Sequence, residues 1–348
     1  RCRQNIKLRM NNDIHNLDLQ TLSKYLEHKL PHSNVIKTSK KFSTGQSNPT
    51  YLLETNEHKY VLRKQPPGKL LPSAHAVDRE YRIMKALNNS EVPVPKMIHL
   101  CEDSSIIGTK FYLMEFIEGR IFWDPTLPEV NQEQRKEIYE ETNRVLAALH
   151  QVDIKTSNLE DFGKPGNYFE RQVNRWIRQY RAAETTEYTH VESLIVWLEN
   201  NMPEDDGMVS VVHGDYRLYN MIFDQSHSKI LAVLDWELST LGHPFADLAY
   251  QCMNWHVPKV GITPGLADID VSSLGIPTEK EYIENYCQKM NIDSIDNWSF
   301  YLAFGFFRLA GIAHGVYKRS LQGNASADNA KEIGAVVPIL GKIAMSII

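Results

Sequence analysis

The sequence predicts an α+β protein of two lobes, a small β-rich N-terminal lobe followed by a larger, mostly helical C-terminal lobe. Three observations carry that expectation. The 348 residues are long enough for two cores rather than one. Strand-type and helix-type patterns alternate up to about Glu115. After Gly119 the spacing of apolar residues becomes predominantly helical.

Residues 17–30 read as an amphipathic helix, with Leu19, Leu22, Leu26 and Leu30 at helical spacing. SKKFSTGQSNPTYLLET and HKYVLRK then read as strands joined by polar turns. Prolines and a glycine in QPPGKLLPSAH interrupt regular structure. A helix resumes in AHAVDREYRIMKAL, with Val77, Tyr81, Met84 and Leu87 on one stripe. VPVPKMIHLCED and TKFYLMEFIEG supply two more strands, and a short hinge follows at Glu115–Gly119. In QEQRKEIYEETNRVLAALHQVD, Ile138, Thr142, Val145, Leu146 and Leu149 share a helical face. Further helices are expected at about 168–182, at about 188–200 and within 279–320. The expected division is an N-terminal extension and helix at 1–32, an N-lobe at 33–116 and a C-lobe at 117–348.

Composition narrows the class. The chain is 42% hydrophobic and 23% charged, ordinary for a globular protein, and its net charge of −5 gives no sign of a general nucleic-acid binder. Cys2, Cys101, Cys252 and Cys287 lie far apart, so neither a disulfide framework nor a structural zinc site is expected, and a cytoplasmic, reducing compartment fits best. The opening RCRQNIKLR is basic but leads into no apolar core of a signal peptide, and is expected to be an upstream remnant before Met10. The apolar C-terminal IGAVVPILGKIAMSII, interrupted by Pro338 and Lys342, reads as a packed helix rather than a membrane span.

The chemistry concentrates in VVHGDYRLYNMIFDQSHSKILAVLDWE, residues 211–237. Polar groups at the ends of short apolar strands are costly to bury unless partnered. No P-loop, HExxH or GxSxG motif is present. Instead an ordered set appears: Gly45 in a turn between strands, Arg63 and Lys64 ending a strand, Glu80 on the next helix, His213-x-Asp215 with Asn220, and finally Asp235. Phosphoryl transfer from ATP needs such a set. A glycine lets backbone approach phosphates, a strand cation neutralises their oxygens, and a helix carboxylate fixes that cation. One Asp takes the proton of an acceptor hydroxyl, while an Asn and a second Asp supply the oxygen ligands that Mg²⁺ prefers. NMIFD and KILAVLDWE, as a strand pair, are expected to bring Asn220 and Asp235 to one end of a hairpin.

HGDYRLYN, DWELSTLGHPFADLAY and the upstream segments resemble the aminoglycoside phosphotransferase family, which shares the protein-kinase-like fold, from about residue 33 onward. SNPTYLL, YVLRKQPPG, VPVPK, HGDYR and LDWELSTLGHP are more closely similar to the kinase-like domain of certain acyl-CoA dehydrogenase family members, a subgroup associated with phosphorylating 4-hydroxyacyl-CoA. No dehydrogenase domain follows here, which suggests a stand-alone relative or an excised domain, with a functional link to an acyl-CoA dehydrogenase. The resemblance implies Asp215 as catalytic base, and Asn220 and Asp235 as magnesium ligands. His213 would brace the catalytic loop, and Asp247 would tie it down from a helix. ATP would be held by Gly45, Ser47 and Asn48 in the turn, by Arg63 with Glu80, and by the hinge backbone at Met114 to Ile117, with Glu115 and Ile117 as contacts. Arg63 stands where protein kinases use Lys; Lys64 is the fallback, although strand alternation points it to the opposite face. The metal motif reads DWE, leaving Glu237 as an extra metal or substrate ligand or as a structural residue.

The acceptor side is less defined. Arg171, Arg175 and Arg178 share one helical face and read either as a landing strip for an anionic substrate or as a solvated basic face. Trp176 points elsewhere, toward a core. Arg308 interrupts an apolar helix and reads equally as a core salt bridge or a substrate contact. Arg217 is near the acceptor by sequence alone. The function expected is an ATP- and magnesium-dependent kinase for a small hydroxylated molecule, a hydroxyacyl-CoA or related hydroxy acid, with no nucleic-acid or membrane partner. An aminoglycoside phosphotransferase and a nucleotide-binding pseudokinase are the alternatives. A protein kinase fits less well, because only eleven residues separate Asp235 from Asp247, too few for a long activation segment.

Overall fold

The computed structural model describes residues 17–30, 35–42, 48–68, 75–183, 186–259, 265–321 and 330–348. They fall into two compact units, one formed by residues up to 89 with 93–118 and 232–237, the other by 90–92, 119–231 and 238–348.

The first unit is built on an antiparallel sheet. After helix α1 (Leu19–Leu26) come β1 (Thr38–Lys41), β2 (Thr50–Glu54), β3 (Lys59–Lys64), α2 (Val77–Leu87), β4 (Met97–Cys101) and β5 (Phe111–Glu115). The sheet order is β1-β2-β3-β5-β4, with every neighbouring pair antiparallel. The stretch read as one strand before the HKYVLRK strand is therefore two, β1 and β2, with the Phe42 amide donating to the Thr50 carbonyl at 2.9 Å. Alternation along the strands sorts two faces. Tyr51, Leu53, Tyr60, Leu62, Phe111 and Leu113 pack with Leu22 and Leu26 of α1 in one apolar cluster. That explains the amphipathic spacing of α1, whose N-cap Asp18 accepts the Thr21 amide at 3.0 Å. The helix ends at Leu26; Leu30 is still buried, but in the turn beyond it.

The opposite face carries Arg63 and, in register with it on β5, Tyr112. Helix α2 corrects the sequence reading at one position: its buried residues are Val77, Glu80, Ile83, Met84 and Leu87, while Tyr81 is only half-buried. Periodicity alone placed an aromatic where the fold buries a carboxylate.

The second unit is mostly helical. It holds α3 (Gln132–His150), α4 (Tyr168–Ala183), α5 (Thr189–Asn200), β6 (Ser210–Val212), β7 (Met221–Phe223) and β8 (Ile230–Val233), which leads the chain into the first unit. Then follow β9 (Thr240–Gly242), α6 (Phe245–Cys252), α7 (Val271–Leu274), α8 (Glu279–Met290), α9 (Trp298–Leu321), α10 (Ala330–Ala335) and α11 (Val337–Ile347). β6 and β9 pair antiparallel, Ser210 with Gly242 and Val212 with Thr240. The hairpin from β7 turns where the Asp224 amide donates to the Lys229 carbonyl at 2.9 Å. Gly119 has room for no side chain, since a Cβ there would lie 2.3 Å from the Phe223 carbonyl oxygen.

Helix α9 is the axis of this unit, in contact with α4, α5, α6, α10 and α11. By length and composition it is the one helix among the described residues that could cross a membrane, yet 72% of its apolar window is buried inside the protein. The C-terminal apolar segment packs as α11, with Val337, Leu340, Gly341 and Ala344 buried, and Pro338 falls in its first turn, where a missing amide costs nothing.

Because α1 closes one face of the sheet, Leu22→Ala should lower stability by about 2–5 kcal/mol. Thermal or urea unfolding checks this; a loss no larger than that of an exposed-site control such as Val35→Ala would show that α1 is dispensable to the core.

Candidate active site

In the first unit the site is organised by one guanidinium. Arg63 Nη2 donates to Asp235 Oδ1 at 2.8 Å, Nε lies 3.0 Å from Glu80 Oε2, and Glu237 Oε2 is 3.6 Å away. Lys64, in register with Phe111, occupies the other face, so the structure joins Glu80 to Arg63 and not to Lys64. Glu80 is 1% exposed and held from both ends: Asn48 Nδ2 donates to Oε1 at 2.7 Å, and the Tyr112 hydroxyl to Oε2 at 3.0 Å. Asn48 is itself fully buried, with its Oδ1 3.0 Å from His75 Nδ1, so its side chain braces Glu80.

Burial pushes the Glu80 carboxyl up to about 7; Asp235 and Glu237 add to the rise and Arg63 opposes it. Burial likewise works against the Arg63 charge, but Glu80, with Tyr112, Asp235 and Glu237, outweighs it and holds the guanidinium above its ordinary range. The cluster thus carries more negative than positive charge. Asp235 sits in the left-handed region at φ 65°, uncommon for a residue with a side chain and concentrated at functional sites. The next residue fixes it there: Trp236 is 1% exposed and its indole N–H donates to the Val233 carbonyl at 2.9 Å. At the end of β5, Glu115 is exposed and its amide donates to the Lys96 carbonyl at 2.9 Å, whereas the Ile117 amide has no partner among the described residues. Gly45 and Ser47 lie outside the described residues.

In the second unit, β6 runs directly into His213, Gly214 and Asp215. Gly214 adopts φ +83°, and a Cβ there would lie 2.8 Å from the Leu238 carbonyl oxygen. Asp247, fully buried on α6, accepts the amides of His213 at 2.5 Å and Gly214 at 2.8 Å. Its Oδ2 lies 3.6 Å from His150 Nε2, whose ring is oriented by the Tyr286 hydroxyl 2.6 Å from Nδ1. Burial raises the Asp247 carboxyl, but His150, His213 and the backbone donors outweigh it and set it below the ordinary 3.8.

The loop is pinned at further points. His213 Nδ1 accepts the Asp215 amide at 3.1 Å, and the Tyr216 hydroxyl donates to the Thr142 carbonyl on α3 at 2.8 Å. Asn220 Nδ2 donates to both the Asp215 carbonyl and Asp215 Oδ2, each at 2.9 Å, which leaves its own carbonyl oxygen without a protein partner among the described residues.

The arginines separate into different roles. Arg217 Nε lies 3.1 Å from Asp215 Oδ1, its Nη2 donates to the Tyr250 hydroxyl, and its guanidinium stands 4.2 Å from the Tyr250 ring centre. Arg308 is 7% exposed and has no salt bridge among the described residues: Nη2 donates to the Gly214 carbonyl at 2.5 Å. Arg171 is tied to the carbonyls of Lys164 and Pro165, so the stripe on α4 is not a row of open cations; Arg175 and Arg178 are exposed, and Trp176 is buried. Tyr112, His150 and Tyr250 escaped the sequence reading. Tyr250 alone left a trace, one helical turn after Asp247.

The profile of the phosphotransferase enzyme family matches residues 38–266. The chain belongs to that family. It is 51% identical over 325 residues to mouse acyl-CoA dehydrogenase family member 10, covering 93% of this chain and 30% of that protein. With mouse acyl-CoA dehydrogenase family member 11 it shares 41% over 320 residues, covering 90% of this chain and 41% of the relative. The chain therefore spans less than half the length of these relatives. A crystal structure from Ralstonia eutropha, provisionally assigned as an aminoglycoside phosphotransferase, superposes with a TM-score of 0.87 at 42% identity, covering 95% of this chain and 98% of that one. Spectinomycin phosphotransferase, solved with ADP and spectinomycin, superposes with a TM-score of 0.63 at 13% identity over 94% of this chain and 98% of its own, which shows the shared kinase-like fold. As a member of the family the chain is a phosphotransferase, and the HGDYRLYN loop and DWE turn lie inside the matched span.

Asp247→Asn should cost about 2–4 kcal/mol, since it weakens two buried charge-assisted hydrogen bonds. Its depressed pKa fixes the sign of the pH effect. The stabilisation is present above pH 3.8 and lost as pH falls further, so the variant's acid limb should be shallower in thermal melts between pH 3 and 6. Identical limbs in both proteins would show that folding does not lower the Asp247 carboxyl.

Proposed function

We propose that the chain transfers the terminal phosphoryl group of ATP to the hydroxyl of a small acceptor, a hydroxyacyl-CoA or a related hydroxy acid. The observation that carries the reading is the constrained Asp215 carboxylate, oriented by the Asn220 amide and by Arg217 at the end of a loop clamped to Asp247. A carboxylate so held accepts the acceptor's O–H proton as the oxygen attacks the γ-phosphorus and ADP departs, and most of the catalysis is positioning and charge stabilisation.

Arg63, fixed by Glu80, would face the α- and β-phosphates, and the unpaired Ile117 amide would meet the adenine. The residues fit magnesium. Asn220 offers an unused carbonyl oxygen, and Asp235 belongs to a cluster with an excess of carboxylates. Both are the hard oxygen donors this ion takes, with water and phosphate completing its shell. When bound, the ion would neutralise phosphate charge. Glu237, beside Asp235, would support that carboxylate or add a ligand.

The acyl-CoA acceptor is favoured by the names of the two mouse relatives, and a working link to an acyl-CoA dehydrogenase follows from the same similarity. A polycationic aminoglycoside is disfavoured by two guanidinium groups at the catalytic loop.

A magnesium-dependent ADP-release assay with 4-hydroxyacyl-CoAs, free hydroxy acids and aminoglycosides tests this. Turnover on a hydroxyacyl-CoA or hydroxy acid is expected, falling about 10²–10⁴-fold in Asp215→Ala. Turnover on aminoglycosides alone would replace the acceptor, and ATP binding without any transfer would make the chain a pseudokinase. Chelation with EDTA should abolish transfer and added Mg²⁺ restore it, with Asp235→Asn needing more Mg²⁺; an EDTA-insensitive enzyme would contradict the metal assignment.

A further inference from the structure

Two guanidinium groups meet at the catalytic loop, and among the described residues only Arg217 has a carboxylate, Asp215. Arg217 lies 4.2 Å and Arg308 5.2 Å from the centre of the same Tyr250 ring. Arg217 donates through Nη2 to the Tyr250 hydroxyl; its Nε lies 3.1 Å from Asp215 Oδ1 without a hydrogen bond, and its Nη1 has no partner among the described residues. Arg308 is 7% exposed and uses only Nη2, on the Gly214 carbonyl, leaving Nε and Nη1 without a partner among the described residues. A buried arginine ordinarily has a carboxylate. Asp247, the nearest fully buried acid on the same helix as Tyr250, is already taken by the His213 and Gly214 amides and His150.

Aromatic faces hold both cations in place: Tyr250 for the pair, Tyr219 for Arg217 at 5.7 Å and Trp176 for Arg308 at 5.8 Å. Such cation–π contacts hold the guanidinium groups beside the rings but satisfy none of their N–H donors. Those donors suit an oxygen with in-plane lone pairs, a carboxylate or an acyl carbonyl.

We infer that Arg217 and Arg308, stacked about Tyr250, form the subsite that receives the acyl oxygen of the phosphoryl acceptor and so selects hydroxylated acyl compounds over neutral alcohols. This rests on Asp215 being the base for the acceptor hydroxyl, because Arg217 touches Asp215 and so ties the acyl oxygen to the reacting end. The oxygen belongs either to the carboxylate of a free hydroxy acid or to the thioester carbonyl of a hydroxyacyl-CoA.

The test compares 4-hydroxybutanoate, 4-hydroxybutanoyl-CoA and 1,4-butanediol as acceptors, and butanoate and butanoyl-CoA as unreactive binding probes in calorimetry. Wild type, Arg217→Gln, Arg217→Lys and Arg308→Gln are used, with thermal melts to confirm folding. Arg217→Gln should lower kcat for acyl acceptor and diol alike, because Arg217 also orients Asp215, but raise KM about tenfold or more for the preferred acyl acceptor only, with partial rescue by Arg217→Lys. Which acyl compound responds identifies the oxygen's source. Unchanged acyl KM and probe affinity in folded variants, an equal KM shift for the diol, or no probe binding to wild type would each overturn the subsite. Loss of probe binding in the variants with no turnover by wild type would uphold the subsite and remove the transfer reading. Turnover with an arginine-independent KM would do the reverse.

Discussion

Much of the second unit follows from one buried charge. Asp247 has no access to water, and an ionised carboxylate survives there only if donors replace its hydration. The His213 and Gly214 amides are those donors, so the constraint works in both directions: the acid needs the loop, and the loop acquires one conformation. Gly214 is caught from both sides, its amide on an anion and its carbonyl on the Arg308 cation. Its positive φ lets the two peptide groups face opposite charges at once. Asp215 inherits this rigidity, and its position needs no contribution from its own side chain.

The parts that were legible in the sequence are those whose causes are local. The HxDxxxxN spacing sets His213, Asp215 and Asn220 within one turn and its exit, so the contacts among them follow from a few residues of chain. Strand alternation separated Arg63 from Lys64 because period two is a property of any extended chain. Helix α2 shows where such reasoning stops. Hydropathy favours Tyr81 for the buried stripe, yet Glu80 is inside, because Asn48, Tyr112 and Arg63 converge on it from three other segments. Arg308 is hidden for the same reason: its partner is a backbone carbonyl 94 residues away, and a carbonyl has no signature in sequence. The single strand that became β1 and β2 shows the same limit, since alternation alone does not mark where one strand ends and its antiparallel neighbour begins.

Each unit, considered by itself, gathers one sign of charge in excess among its described site residues. In the first, Glu80, Asp235 and Glu237 gather about Arg63, and burial beside the other two pushes the Glu80 carboxyl up to about 7. In the second, Arg217 pairs with Asp215, while Arg308 donates only to the Gly214 carbonyl among the described residues. A protein selected only for stability has no cause to gather like charges in this way, since they are destabilising near a core and an apolar substitute is often neutral or better. The signs match what phosphoryl transfer brings: a hard cation for the carboxylates, and phosphate or acyl oxygen for the guanidinium groups. Arg63 serves both requirements, because the carboxylates that keep it charged also fix where its remaining donors point. Lysine, a point charge on a flexible stem, lacks the separate Nε and Nη2 groups that meet Glu80 and Asp235. On this argument the arginine in YVLRK is a requirement of the DWE turn, and the two departures from the protein-kinase pattern form one adaptation.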